Sequence, residues 1–167
     1  MKSKSLKSIS KFVILYCQSK GMSINPLKLQ KLLYYVQSWH IVNFEKDTLF
    51  SELPEAWVNG PVYRSVYDTL KPKFFRNQNF AFQYTDEKLL EELNSTLDSL
   101  KLTKKQEKLL YAVLDNYGVM TDEKLVFLTH KEDPWNNARK GLSPIERSTK
   151  EITVNDIYSY YTSRLKK

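Results

Sequence analysis

Helix-starting and helix-ending residues recur at short intervals along this chain, and between them apolar side chains fall three and four positions apart. That pattern admits a set of short amphipathic helices and little else, because few stretches alternate with the period of a strand. Leu6, Ile9, Val13, Tyr16 and Cys17 make the first stripe, with Ser10, Lys11 and Gln18 on its other side. Lys20-Gly21 ends it, where glycine can turn left-handed. Asn25-Pro26 opens the second helix, Asn as cap and Pro at the first helical position, and Leu29, Leu32, Leu33, Val36 and His40 form its buried stripe. Gly60-Pro61 starts a third with Val62, Val66 and Leu70 inward, and Lys71-Pro72 stops it, since a residue before proline avoids the helical region.

Leu89, Leu90, Leu93, Leu97 and Leu100 define a helix over residues 86–100. Thr103 and Gln106 have the spacing of a capping box, and the helix they open carries Leu109, Leu110, Val113, Leu114 and Tyr117 before Gly118 closes it. Thr121 caps a short helix through Leu125 and Leu128, Asp133 caps another through Pro134, Trp135 and Ala138, and Thr153 caps a last one with Ile157, Tyr161 and Leu165. Residues 47–59 lack helical periodicity, with Ala56 to Val58 as a short strand; Phe80, Phe82 and Tyr84 alternate as a strand would; residues 143–152 read as a loop or extended segment. The expectation is a mainly α fold: one compact domain over residues 1–167, of seven or eight short helices with at most a small β element.

A chain of 167 residues can bury one sizeable core, and 41% apolar residues are enough to fill it. The single Cys17 excludes an internal disulfide, reads as a small core residue, and fits a reducing cytoplasm. No apolar run has the length of a signal peptide or a membrane span, so no membrane partner is expected. The charge is the unusual quantity: 26 Lys and Arg against 19 Asp and Glu give +7, which permits an acidic protein or nucleic acid as partner and establishes neither.

Residues for chemistry are sparse. Two histidines far apart and one cysteine do not make a metal site, and glycines isolated at 21, 60, 118 and 141 do not make a phosphate loop, so no cofactor is expected. His40 continues an apolar stripe and reads as a core histidine; His130 lies near a helix end, where an imidazole can bond unpaired carbonyls. Glu91-Glu92 and Glu132-Asp133 read as solvation and capping. The chain is therefore expected to bind and not to catalyse. Lys101, Lys104, Lys105 and Lys108 line one helical face opposite the leucines, and Lys2, Lys4, Lys7 and Lys11 add charge at the N-terminus; a solvated face is the plainer reading, an acidic-partner or nucleic-acid patch the other. Tyr35 falls on the side of Lys28 and Lys31, away from the leucine stripe, as a candidate exposed anchor, and Tyr160 falls off the stripe of the last helix.

Three strings occur in order: Leu29-Gln30-Lys31-Leu32-Leu33-Tyr34-Tyr35 followed by Trp39-His40; Glu55-Ala56-Trp57-Val58-Asn59-Gly60-Pro61-Val62-Tyr63 after Leu49-Phe50; and Leu128-Thr129-His130 with Asp133-Pro134-Trp135. Together they resemble the Panacea domain, the antitoxin domain of SocA-like and many phage-associated proteins. The resemblance implies a bacterial or phage-borne antitoxin that neutralises a toxin, encoded by an adjacent gene, through direct protein contact. It also implies an alternative, delivery of the toxin to an ATP-dependent protease. On this resemblance Leu29, Gln30, Leu33, Gly60, Pro61, Pro134 and Trp135 specify the scaffold; the candidate partner-binding residues are Lys28, Lys31 and Tyr35 from the side of the second helix away from its leucines, Trp57, Asn59 and Tyr63 from the second string, and Lys104 and Lys108 from the lysine face. A basic DNA-binding regulator, or an enzyme built on His40, His130 or Cys17, are the competing readings.

Overall fold

The computed structural model describes residues 2–74 and 76–165. The elements run α1 (Leu6–Ser19), α2 (Pro26–Asn43), β1 (Glu55–Trp57), β2 (Gly60–Val62), α3 (Arg64–Phe74), α4 (Asp86–Leu100), α5 (Lys104–Tyr117), α6 (Asp122–His130), α7 (Asp133–Ala138) and α8 (Val154–Leu165). The fold is mainly α, with one small antiparallel hairpin. Side-chain caps fix most helix starts: Ser5, Asn25, Thr85, Thr103 and Thr121 each accept a backbone N–H from the first turn, and Thr103 with Gln106 forms the reciprocal capping box. Thr153 does the same for α8 through Asp156 N–H.

Helix α2 is the axis of the molecule. Helices α1, α3, α5, α6 and α8 and strand β2 all pack on it, and of its 18 residues only Leu27, Trp39 and Asn43 are not buried. Helix α4 covers the far side of α1, so Ser10, expected outside, is buried and donates to Leu6 O. Cys17 lies in the core, where burial pushes its thiol up to about 11.

Several local expectations are corrected. Gly60-Pro61 does not start a helix but forms β2, paired with β1 in the register Glu55↔Val62, Ala56↔Pro61 and Trp57↔Gly60. Gly60 takes φ +96°, which glycine alone adopts without strain, and α3 begins only at Arg64. Pro72 lies inside α3, near its end, where residues 68 and 72 are exposed and water can serve the carbonyl the proline leaves unpaired. Residues 80–84 form no strand: Phe80 N–H donates to Ile24 O and its ring is buried, but Phe82 and Tyr84 stack on each other at the surface with no partner strand. Leu90 and Leu165, placed on inward stripes, are 53% and 58% exposed.

The segment before α8 is extended and lies along β1. Ala56 N–H donates to Lys150 O and Ile152 N–H to Pro54 O, both at 2.8 Å. The C-terminal part of the chain is thereby fastened to the hairpin.

Candidate functional site

A helix buried on every side must satisfy whatever polar groups it carries, because a buried polar group without a partner costs about 1–3 kcal/mol. Helix α2 meets most of this demand by holding irregular backbone, while its Tyr34 OH and Ser38 Oγ are buried without a hydrogen-bond partner among the described residues. Gln30 grips Tyr63 twice, its Oε1 accepting the Tyr63 N–H at 2.7 Å and its Nε2 donating to Tyr63 O at 3.2 Å. One heptad later Gln37 repeats the arrangement, accepting from Leu49 N–H at 2.8 Å and donating to Phe50 O at 2.7 Å. Lys28 donates to Ser23 O and Gly118 O at 2.7 and 2.6 Å. His40 Nδ1 lies 3.0 Å from Asp47 O and its Nε2 lies 3.1 Å from Gln106 Nε2, so a neutral ring protonated on Nδ1 satisfies both contacts.

Lys31 is the extreme case. Its side chain is fully buried, its ammonium donates to Pro61 O at 3.0 Å, and burial lowers its pKa from 10.5 to about 7. Gly60 lies directly on it: a Cβ at Gly60 would stand 2.8 Å from Lys31 Cε and 2.7 Å from Thr129 Oγ1. The glycine is thus required by close approach as well as by its φ angle.

A second buried cluster joins α2, α7 and α8. Glu132 accepts from Tyr35 OH at 2.9 Å and Tyr161 OH at 2.5 Å, and burial raises its pKa from 4.5 to about 7. Tyr35 stacks on Tyr117, ring centres 4.0 Å apart, and Trp39 Nε1 donates to Tyr117 OH. Glu132, read as solvation, occupies the N-cap position of α7 in place of Asp133, and it makes no side-chain cap because the two tyrosines hold its carboxylate.

The hairpin presents the accessible part of this region. Trp135 Nε1 donates to Trp57 O, His130 stacks on Trp135 at 4.2 Å, and Arg139 Nη1 donates to Ala56 O at 2.9 Å. Burial, and then the charge of Lys31, lower the His130 pKa. Trp57 is half-buried, its Nε1 donating to Glu55 at 2.6 Å under the Arg64 guanidinium, which sits 4.8 Å from the ring centre. Asn59 at the turn is exposed.

The candidate partner-binding residues therefore separate into three groups. Lys28, Lys31, Tyr35 and Tyr63 are buried, and the expectation that Tyr35 is an exposed anchor beside two lysines is corrected. The side of α2 opposite the leucine stripe is covered by β2, α6 and α8, so all of its residues point inward. Trp57 and Asn59 lie at the accessible hairpin. Lys104 and Lys108 are exposed on α5, whose start meets the end of α2 at Asn43, roughly 18 Å along that helix from Lys31 by helical rise. Gln37, Glu132 and Arg139 were missed: each is a polar residue whose buried partners come from distant segments, and no local spacing marks it.

The family of SocA-like antitoxins, the Panacea domain, matches residues 29–136, well over half of the 167-residue chain. The chain belongs to the Panacea-domain family. No curated protein and no solved structure matches it. The Panacea match takes in Gln30, Lys31, Gln37, the hairpin and Glu132, and it stops short of Arg139, the segment at 150–152 and Tyr161. All seven scaffold residues expected from the motifs, Leu29, Gln30, Leu33, Gly60, Pro61, Pro134 and Trp135, are buried and lie within this match.

Proposed function

We propose that this protein is a cytoplasmic antitoxin that neutralises a toxin, encoded by an adjacent gene, by binding it directly and without catalysis. The observation that carries this reading is the Panacea-domain match over residues 29–136. The arrangement of the polar groups supports the absence of chemistry. Lys31, Glu132 and His40 are spent on interior hydrogen bonds, and Cys17 is a buried thiol whose pKa is raised, the opposite of what a nucleophile needs. Contact with the toxin then falls to accessible side chains, with the half-buried Trp57 and the exposed Asn59 of the hairpin among them.

Co-expression with the product of the adjacent gene tests the proposal, with growth and co-purification scored together. Rescue with a stoichiometric complex is the expected result. Rescue without a complex, with protease-dependent loss of the neighbour, would replace direct blocking by delivery to a protease. Toxicity that this chain does not relieve would refute the antitoxin reading.

A further inference from the structure

Phe80, Phe82 and Tyr84 alternate as a strand does, yet no strand of this fold pairs with them. The segment is nonetheless held in place. Phe80 donates its N–H to Ile24 O at 2.8 Å and accepts from Gln18 Nε2 at 3.0 Å, and Thr85, the N-cap of α4, fixes the other end. All three rings line one open cavity of about 310 Å³, with Met22, Ile24 and Leu89 as further apolar walls. Phe82 and Tyr84 stack on each other there, 42% and 39% exposed. Rings two residues apart that share one side mean an extended backbone. Backbone groups point to opposite sides in turn along such a chain. Those of Ala81 and Gln83 therefore face away from the edge that Phe80 commits to the protein, and among the described residues they have no hydrogen-bond partner. Past Met22, Ser23 and Asn79 the cavity continues into a second of about 520 Å³ beside Val119 and Met120.

We infer that residues 80–84 are a docking edge for an extended segment of the toxin, which adds to them as a strand; the inference rests on the antitoxin reading above. An unpaired extended backbone is a template for another extended backbone, because each offers N–H and C=O groups at the same repeat. Pairing at Ala81 and Gln83 puts every second side chain of the incoming segment on the side of the rings. The segment recognised therefore carries apolar residues at alternate positions, and the cavity beside Phe82 takes one of them. Anchoring at Phe80 and Thr85 means that little order is lost when the segment arrives. A second copy of this chain is a poorer occupant. Self-pairing brings together two molecules of net charge +7, and with them two copies of Lys73, whose ammonium lies 5.1 Å from the Phe80 ring centre.

The test removes the outward N–H and keeps the fold. Gln83→Pro deletes one donor of the free edge, Gln83→Ala deletes only the side chain, and Phe82→Ser with Tyr84→Ser deletes the rings. Each variant of the full chain is first checked for an unchanged melting temperature, and Ala81→Pro reads the same edge if Gln83→Pro melts lower. Affinity for the purified product of the adjacent gene is then measured. Gln83→Pro is expected to weaken binding about 10-fold and the double serine variant about 30-fold, with Gln83→Ala within about 2-fold of the wild type. Equal binding by the wild type, the proline variants and the serine variant would overturn the docking edge while leaving the antitoxin reading intact. Equal losses in Gln83→Ala and Gln83→Pro would mean a side-chain contact and overturn strand addition. A wild type that neither binds nor rescues would overturn both the edge and the antitoxin reading. Self-association that Gln83→Pro abolishes, with toxin affinity unchanged, would assign the edge to a second copy and overturn the proposal as stated.

Discussion

Two stretches of this chain are nearly the same string. Lys31-Leu32-Leu33-Tyr34-Tyr35-Val36 lies in α2 and Lys108-Leu109-Leu110-Tyr111-Ala112-Val113 in α5, both helical, yet every residue of the first is buried while the second shows Lys108 and Ala112 to solvent. Nothing local separates them. Helix α2 is enclosed by β2, α6 and α8 on the side that α5 leaves open, so the lysine that stays hydrated in one helix is desolvated and tied to a backbone carbonyl in the other. Position in the bundle, and not helical periodicity, decides what a polar residue does.

The comparison can be broken by exchanging the residues that differ. Tyr35→Ala should destabilise the protein by about 4 kcal/mol, because it opens a cavity beside Tyr117 and leaves Glu132 with one donor, whereas the exposed Ala112→Tyr should change stability by less than about 0.5 kcal/mol. Denaturant unfolding of both variants checks this, and equal effects would show that α2 is less enclosed than described. Next in size is Gln30→Ala, expected to cost about 3 kcal/mol by stripping both backbone groups of Tyr63 of their partner. A chevron midpoint unchanged from the wild type would refute that account.

Titration sharpens the contrast in a different way. Glu132 takes its proton near pH 7 in the fold against 4.5 for the free side chain, so the native state binds that proton more tightly and stability falls as pH rises from 4.5 to 7. Lys31 loses its proton near 7 against 10.5 when free, so stability rises from pH 7 to 10.5 as the unfolded chain holds the proton that the native state has released. The melting temperature should pass through a minimum near neutrality, the acid arm worth about 3 kcal/mol and the alkaline arm about 5 kcal/mol. Glu132→Gln should flatten the acid arm and Lys31→Met the alkaline one. The smallest effect is expected for Lys108→Ala, within about 0.5 kcal/mol at any pH, and a larger one would mean that the surface lysines carry structural load.

The helices were legible because their signals are local. Thr103 and Gln106 satisfy each other across one turn, Asn25 caps the turn beside it, and leucine spacing records which way each helix faces. Pairing between distant segments was not legible. Residues 80–84 alternate as a strand does but have no partner strand, while Gly60-Pro61 resembles a helix start and is drawn into a hairpin by β1. The candidate site divided the same way: exposure of Lys104 and Lys108 followed from helix facing, whereas the burial of Lys28, Lys31, Tyr35 and Tyr63 depends on α6, α8 and β2 arriving from elsewhere. Motif resemblance located the residues that matter to the architecture without saying whether they face partner or core.

The glutamine and lysine grips of α2 close on main-chain atoms: Tyr63, Leu49 and Phe50 for the glutamines, and Pro61, Ser23 and Gly118 for the lysines. Main-chain atoms are the same whatever side chain is attached. Gly60 apart, the loops gripped in this way can therefore drift in sequence while keeping their shape, so the outward side chains of one unchanged scaffold are free to vary residue by residue.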